Sequence, residues 1–239
     1  MCGISGFLKC NTANTEESFK NSIDKMNATL VHRGPDNDGR WYDMEAGIAF
    51  GHRRLSIIDV SPEGNEPMIS ASGRYIITYN GEIYNYRELR QELETTGWRF
   101  RGHSDTEVML AAFEKWGLEN SVKRFIGMFA FALWDRLERQ LSLVRDRIGE
   151  KPLYYGWFGN TFLFASELKA LRAYPGFYAD IDRDSVALFM RYAYIPAPYS
   201  IYKGIKKLIP GTIITVTADN PGYCPEPIPY WSFKQVAET

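Results

Sequence analysis

Residues 127–166 read GMFAFALWDRLERQLSLVRDRIGEKPLYYGWFGNTFLFAS, and this stretch decides the fold. Apolar and aromatic residues alternate with others, or run in short blocks, in GMFAFALWD (127–135), QLSLVRD (140–146), PLYYGWF (152–158) and TFLFAS (161–166), which predicts four strands. Gly159-Asn160 suits a two-residue hairpin turn between the last two. Strands this close in sequence pair antiparallel, because a parallel crossover needs a longer connection.

Working outward, RYIITYN (74–80) has the β-branched and aromatic content of a strand that ends at Asn80. NYRELRQELETTG (85–97) reads as a helix with Asn85 as cap, Leu89 and Leu93 one turn apart, and Gly97 as terminator. Ser104 with Glu107 forms a capping-box pattern before VMLAAFEKWG and places Asp105 in the first turn of the next helix. Towards the amino end, residues 4–8 predict a strand and Phe19, Ile23, Met26 and Leu30 a helical face. HRGPDNDG predicts a loop over 32–40, followed by a strand at 40–43, and GIAFGHRRLSIID a strand, a loop and an extended segment. Beyond residue 166, SELKALRAY and RDSVALFMRYAY read as helices, and the proline-rich IPAPYS, IPG and DNPGYCPEPIPYW read as a connector. Pattern alone gives an α+β layered domain.

A chain of 239 residues, 45% hydrophobic and 15% aromatic, can fill a substantial core. A net charge of −1 gives no broad basic field for nucleic acid or an anionic membrane, and no apolar run is long enough to span one. A cytoplasmic protein is expected. Cys2, Cys10 and Cys224 make an odd number without C-x-x-C spacing, which argues against a disulfide framework and against a metal site. Cys10 and Cys224 are expected to be small buried hydrophobes.

Cys2 differs because it follows the initiator Met1 and precedes Gly3 in MCGISGF. Removal of Met1 would leave a residue with both a thiol and a free α-amine. Only the thiolate attacks carbon, and an α-amine with a pKa of about 7.7–8.0 is suited to take the proton. None of His32, His52 and His103 stands out as a partner. YNGEIYN offers an amide donor on Asn80 and an unobstructed N–H at Gly81, a candidate oxyanion site that composition alone would read as an Asn-Gly turn. RRLSIID offers Arg53 or Arg54 for a carboxylate, and Glu82 and Asp105 are acids that could hold an ammonium. The implied ligand is an amino acid with a side-chain carbonyl, glutamine among other zwitterions.

MCGISGF, HRGPDNDG, GHRRLSIID, YNGEIYNY, GHSDTE, FIGMFAFALWD and RDRIGEKPLYY, in this order over most of residues 1–170, resemble the class II, N-terminal-nucleophile glutamine amidotransferase domain, and most closely that of glutamine-hydrolysing asparagine synthetases. The resemblance implies a four-layer αββα sandwich of two antiparallel sheets between helical layers. It implies Cys2 as nucleophile with its α-amine as base, and Asn80 and Gly81 as oxyanion hole. Arg54 would bind the α-carboxylate of L-glutamine, Glu82 and Asp105 its α-ammonium, and Leu55, Ser56, Ile57 and Ile58 would line the pocket. Glutamine would pass through a γ-glutamyl thioester to glutamate and ammonia. The ammonia would serve ATP-dependent conversion of aspartate to asparagine in a covalently attached C-terminal synthetase domain. Amidation of another acceptor such as a sugar acid, or an idle glutamine-binding regulatory module, are the alternatives.

The expected division is a glutaminase domain over 1–192, with 193–239 a connector and the start of the synthetase domain. No SGGxDS-type pyrophosphate loop occurs in the chain, so no cofactor is expected here, ATP and Mg being confined to the synthetase domain. Oligomeric state is not legible. A homodimer stays open, although Trp157 and Phe158 fit a core strand better than an interface.

Overall fold

The computed structural model describes residues 1–10, 15–57 and 61–238. The amino half contains β1 (Gly3–Lys9), α1 (Glu16–Ala28), β2 (Asn37–Asp43), β3 (Ile48–Arg54), β4 (Met68–Ile69), β5 (Tyr75–Ile83), α2 (Tyr86–Thr95), α3 (Asp105–Trp116) and α4 (Leu118–Arg124). The carboxyl half contains β6 (Gly127–Asp135), β7 (Gln140–Arg145), β8 (Tyr154–Phe158), β9 (Thr161–Ala165), α5 (Leu168–Arg172), α6 (Arg183–Tyr192), β10 (Ile205–Lys207), β11 (Thr212–Thr217), β12 (Ile228–Pro229) and α7 (Phe233–Ala237). Among the described residues the strands form two six-stranded antiparallel sheets, ordered β10-β8-β9-β1-β3-β2 and β12-β11-β7-β6-β5-β4.

Strand β6 explains why the sheets stack. Phe129, Phe131 and Leu133 point to one side, into a cluster with Val108, Leu110 and Phe113 of α3, and Ala130, Ala132 and Trp134 point to the other, among Ile4, Phe50 and Phe164 of the opposite sheet. In β1 the same alternation sends Ile4 and Leu8 between the sheets and Phe7 towards Phe19 and Ile23 of α1. The result is helix, sheet, sheet, helix, the four layers expected. Trp157 and Phe158 belong to this packing, with Trp157 edge-on to Phe162 and Phe158 against Phe177. Cys10 is buried, Cys224 packs against the inter-sheet cluster, and both are free thiols.

Several local expectations change. Asn80 does not end its strand: β5 runs on to Ile83 because β6 pairs with it as far as Gly127, so Asn80-Gly81 is paired backbone, opposite Ala130 and Phe129, and not a turn. Likewise β2 starts at Asn37, inside the expected loop, because Asn37 and Asp38 pair with Arg54 and Arg53. Asn85 precedes α2 but does not cap it, since its side chain bridges the Arg124 carbonyl and the Ile126 N–H. Ser104 does cap α3, accepting the Glu107 N–H at 3.2 Å, whereas Glu107 reaches back to the N–H groups of Arg101 and Gly102. The boundary drawn after residue 192 falls at no break in the sheets, because β10 edges one and β11 and β12 extend the other. No helix among the described residues is long and apolar enough to cross a membrane.

Candidate active site

Cys2 sits immediately before β1, which fixes where its sulfur can go. Ile4 is held on both sides, its N–H donating to Ser166 Oγ at 3.0 Å and its carbonyl accepting the Ser166 N–H at 2.9 Å. The Cys2 carbonyl accepts Arg33 Nε at 2.9 Å, and Arg33 pairs with Glu167 at 2.9 Å. Burial would raise the Glu167 carboxyl, but hydrogen bonds from Arg33, His32 and Lys169 pull it down to about 2. The HRG triplet and the strand end at Ser166 thus brace the start of the chain. The Leu55 N–H points at Cys2 Sγ from 3.4 Å, and burial pushes the thiol up. Left to itself, this sulfur stays protonated, so a base is required.

One pocket gathers Cys2, Arg54, Leu55, Ile57, Asn80, Gly81, Glu82 and Asp105. Asn80 is 1% exposed and its Nδ2 makes no hydrogen bond to the protein. An unmet buried donor costs about 1–3 kcal/mol, so this amide is held ready for an acceptor from outside. Gly81 has a tight wall behind it, since a Cβ there would collide with the Met128 carbonyl and Phe129. The period of β3 separates the paired arginines. Arg54 turns into the pocket, donating to the Ser61 carbonyl at 2.9 Å and Asn65 Oδ1 at 2.7 Å, while Arg53 lies with the Asn27 carbonyl and Asp38. Ser56 falls outside the pocket lining and donates its N–H to Asp36. Ile58 lies outside the described residues.

Asp105, at the first turn of α3, is buried. It accepts the Tyr79 hydroxyl at 2.8 Å and the Ile83 N–H at 2.9 Å, and burial raises its carboxyl. Behind it lie residues that sequence reasoning missed. The Glu66 carboxyl accepts both the Tyr79 N–H and the Thr106 hydroxyl, and His52 Nε2 lies 3.0 Å from the Tyr79 carbonyl. Desolvation pulls His52 down to about 4, so it is neutral, with Nε2–H facing a carbonyl that can only accept. Lys151 is also missed. It is buried in the pocket wall, with Nζ 3.1 Å from Met1 Sδ. Its loop is built by two neighbours: Asp146 accepts the N–H groups of Ile148, Gly149, Glu150 and Lys151, and Arg145 covers the carbonyls of Gly149, Lys151 and Leu208. The only signal for Lys151 is the RDRIGEKPLYY stretch that carries this loop.

A nucleophile with no histidine partner, an orphan amide, an arginine and buried acids share a space open to solvent, an arrangement fit for acyl transfer from a zwitterion. A family model described as a glutamine amidotransferase domain matches residues 1–231. Asparagine synthetase [glutamine-hydrolyzing] 1 of Bacillus subtilis is 40% identical over 223 residues, which is 92% of this chain and 34% of that protein. A putative asparagine synthetase of Methanocaldococcus jannaschii is 41% identical over 229 residues, 87% of this chain and 42% of that protein. Among solved structures, glutamine phosphoribosylpyrophosphate amidotransferase from B. subtilis aligns over 94% of this chain and 49% of its own, with a TM-score of 0.66 at 19% identity, a likeness of fold. The chain spans between about a third and two fifths of the length of these curated relatives.

Proposed function

The chain belongs to the class II, N-terminal-nucleophile glutamine amidotransferases, and from that premise we propose that it hydrolyses L-glutamine to glutamate and ammonia at Cys2 once Met1 has been removed. The observation that carries this reading is the unpaired Nδ2 of buried Asn80 in the pocket that holds the Cys2 thiol. The α-amine of Cys2 takes the thiol proton, and the thiolate attacks the side-chain carboxamide carbon. The oxygen of the tetrahedral adduct becomes an oxyanion, which Asn80 Nδ2 and the Gly81 N–H stabilise. The protonated α-amine gives its proton to the departing nitrogen, ammonia leaves, and a γ-glutamyl thioester remains. Water, deprotonated by the same amine, attacks the thioester, and collapse returns glutamate and the thiol.

Arg54 binds the α-carboxylate in this scheme, with Glu82 and Asp105 on the α-ammonium. Asp105 is the better placed acid, since Tyr79 and Ile83 already fix its carboxyl. Met1 lines the pocket and stands ahead of Cys2, so a chain that keeps it has no free α-amine on Cys2 and is inactive. In a longer protein built like the curated relatives, the ammonia is passed to a following domain for ATP-dependent amidation of aspartate. Residues beyond 192 lead into that domain while completing the sheets of this one.

The test is glutamate release from glutamine by Met1-processed protein, with Cys2→Ala as control, and peptide mapping after a glutamine-like electrophile. Turnover with the adduct on Cys2 is the expected result. An adduct on Cys10 or Cys224, or turnover that survives Cys2→Ala, would refute the assignment.

A further inference from the structure

Glu66 has no task in the reaction above, yet it is buried in the pocket wall. Glu66 lies two residues ahead of β4, whose Met68 pairs with Ile77 of β5. There Oε2 accepts the Tyr79 N–H at 2.6 Å, and Oε1 accepts the Thr106 hydroxyl at 3.0 Å. Tyr79 immediately precedes Asn80, and Thr106 immediately follows Asp105. One carboxyl therefore grips the neighbour of the orphan donor and the neighbour of the buried acid. The strand β2 crosses just above, and Gly39 has to be glycine there because a Cβ would run into the Glu66 carbonyl.

The groups facing Glu66 come from several elements: His52 and Arg54 of β3, Tyr79 of β5, Asp105 and Thr106 of α3, and Cys2 ahead of β1. His52 Nε2 stands 3.6 Å from Oε2 but spends its proton on the Tyr79 carbonyl. Burial pushes the Glu66 carboxyl up to about 8, and the hydrogen bonds from Tyr79 and Thr106 only partly offset this. At neutral pH it is mostly the neutral acid. Ionised, it would add a negative charge beside Asp105 and the sulfur as a thiolate, and then an oxyanion, develops.

We propose that Glu66 is a positioning residue for glutamine hydrolysis: its carboxyl ties the strand carrying Asn80 to the helix turn carrying Asp105, and it serves while protonated. This rests on the glutaminase reading. The test is steady-state kinetics of Met1-processed wild type and E66Q from about pH 6 to 9.5. Glutamine keeps the shape of the protonated acid but cannot ionise. The ratio of wild-type to E66Q kcat should fall about tenfold between pH 7 and pH 9, as a group titrating near 8 goes from about nine-tenths to about one-tenth protonated. Taking the ratio cancels the rise due to the α-amine base. A kcat ratio constant within about twofold overturns the proposal.

If E66Q does not fold, Thr106→Val decides. Loss of the hydroxyl removes a hydrogen bond to the anion, so the descending limb of kcat should move to higher pH, and an unmoved or absent limb overturns the proposal. Wild type that releases no glutamate refutes the glutaminase reading and this inference with it. Active wild type with a level ratio sinks Glu66 alone.

Discussion

The same strands are built differently at their middles and at their pocket end. Midway, Ile76, Ala132, Trp134 and Leu143 meet Phe50 and Phe164 across the sheet interface. At the pocket end, β3 and β5 carry His52, Arg54, Tyr79 and Asn80 at similar burial. The middle is chosen for dry packing, whereas the end tolerates an unpaired amide, a neutral histidine and a carboxyl that resists ionising. Stability and chemistry are thus separated along the length of the strands, and substitutions at the two places should fail in different ways.

The sharpest contrast is Cys2→Ala, which should lower glutamine hydrolysis by about 10⁴-fold or more without lowering the thermal midpoint. Asn80→Ala comes next. It should cost about 10²–10³ in kcat, and because it deletes an unmet donor its midpoint should not fall. A clear loss of stability in that variant would break the contrast. From the other side, Phe131→Ala should destabilise by about 3–5 kcal/mol in urea titration, with kcat per folded molecule retained. Arg54→Ala should raise KM about 10- to 100-fold with a smaller change in kcat, and an equal loss in both would contradict its role in binding the carboxylate.

The smallest effect is on pH dependence. His52 is lowered to about 4 in the folded protein, so the unfolded chain binds more protons between about 4 and 6.5 and stability falls as the solution is acidified through that window. Glu66 is raised to about 8, so the folded protein holds a proton that the unfolded chain has released, and stability falls as pH rises towards 8. Midpoints recorded from pH 4 to 9 should therefore pass through a broad maximum between about pH 5 and 6, where the two effects nearly cancel, and E66Q should flatten the alkaline side.

Legibility in the sequence follows the same division. Residues 129–134 were readable because each faces one of two fully apolar layers, and the period of two survives in the side chains. The strand end expected at Asn80 came out three residues short because turn chemistry is local, while pairing with Ala130 and Phe129 comes from a strand about fifty residues away. Cys2 stood out by its place behind Met1 and Asn80 and Asp105 by residue type, residue type alone left Arg53 and Arg54 equal, and the structure adds that Cys2, Arg54, Asn80 and Asp105 meet in one pocket. Glu66 and Lys151 sit in GNEP and GEKP, stretches that look like ordinary turns, and nothing in them announces a buried side chain. The prolines past residue 192 pointed to a connector, yet Pro229 is simply part of the short edge strand β12, where a missing N–H is tolerated.

Those late strands decide what becomes of a shortened gene. Stopping translation after Tyr192 would strip β10 from β8 and β11 from β7, leaving a raw row of amides and carbonyls on each sheet. Such a product would stick to its own copies, scattering light before any assay could be run on it.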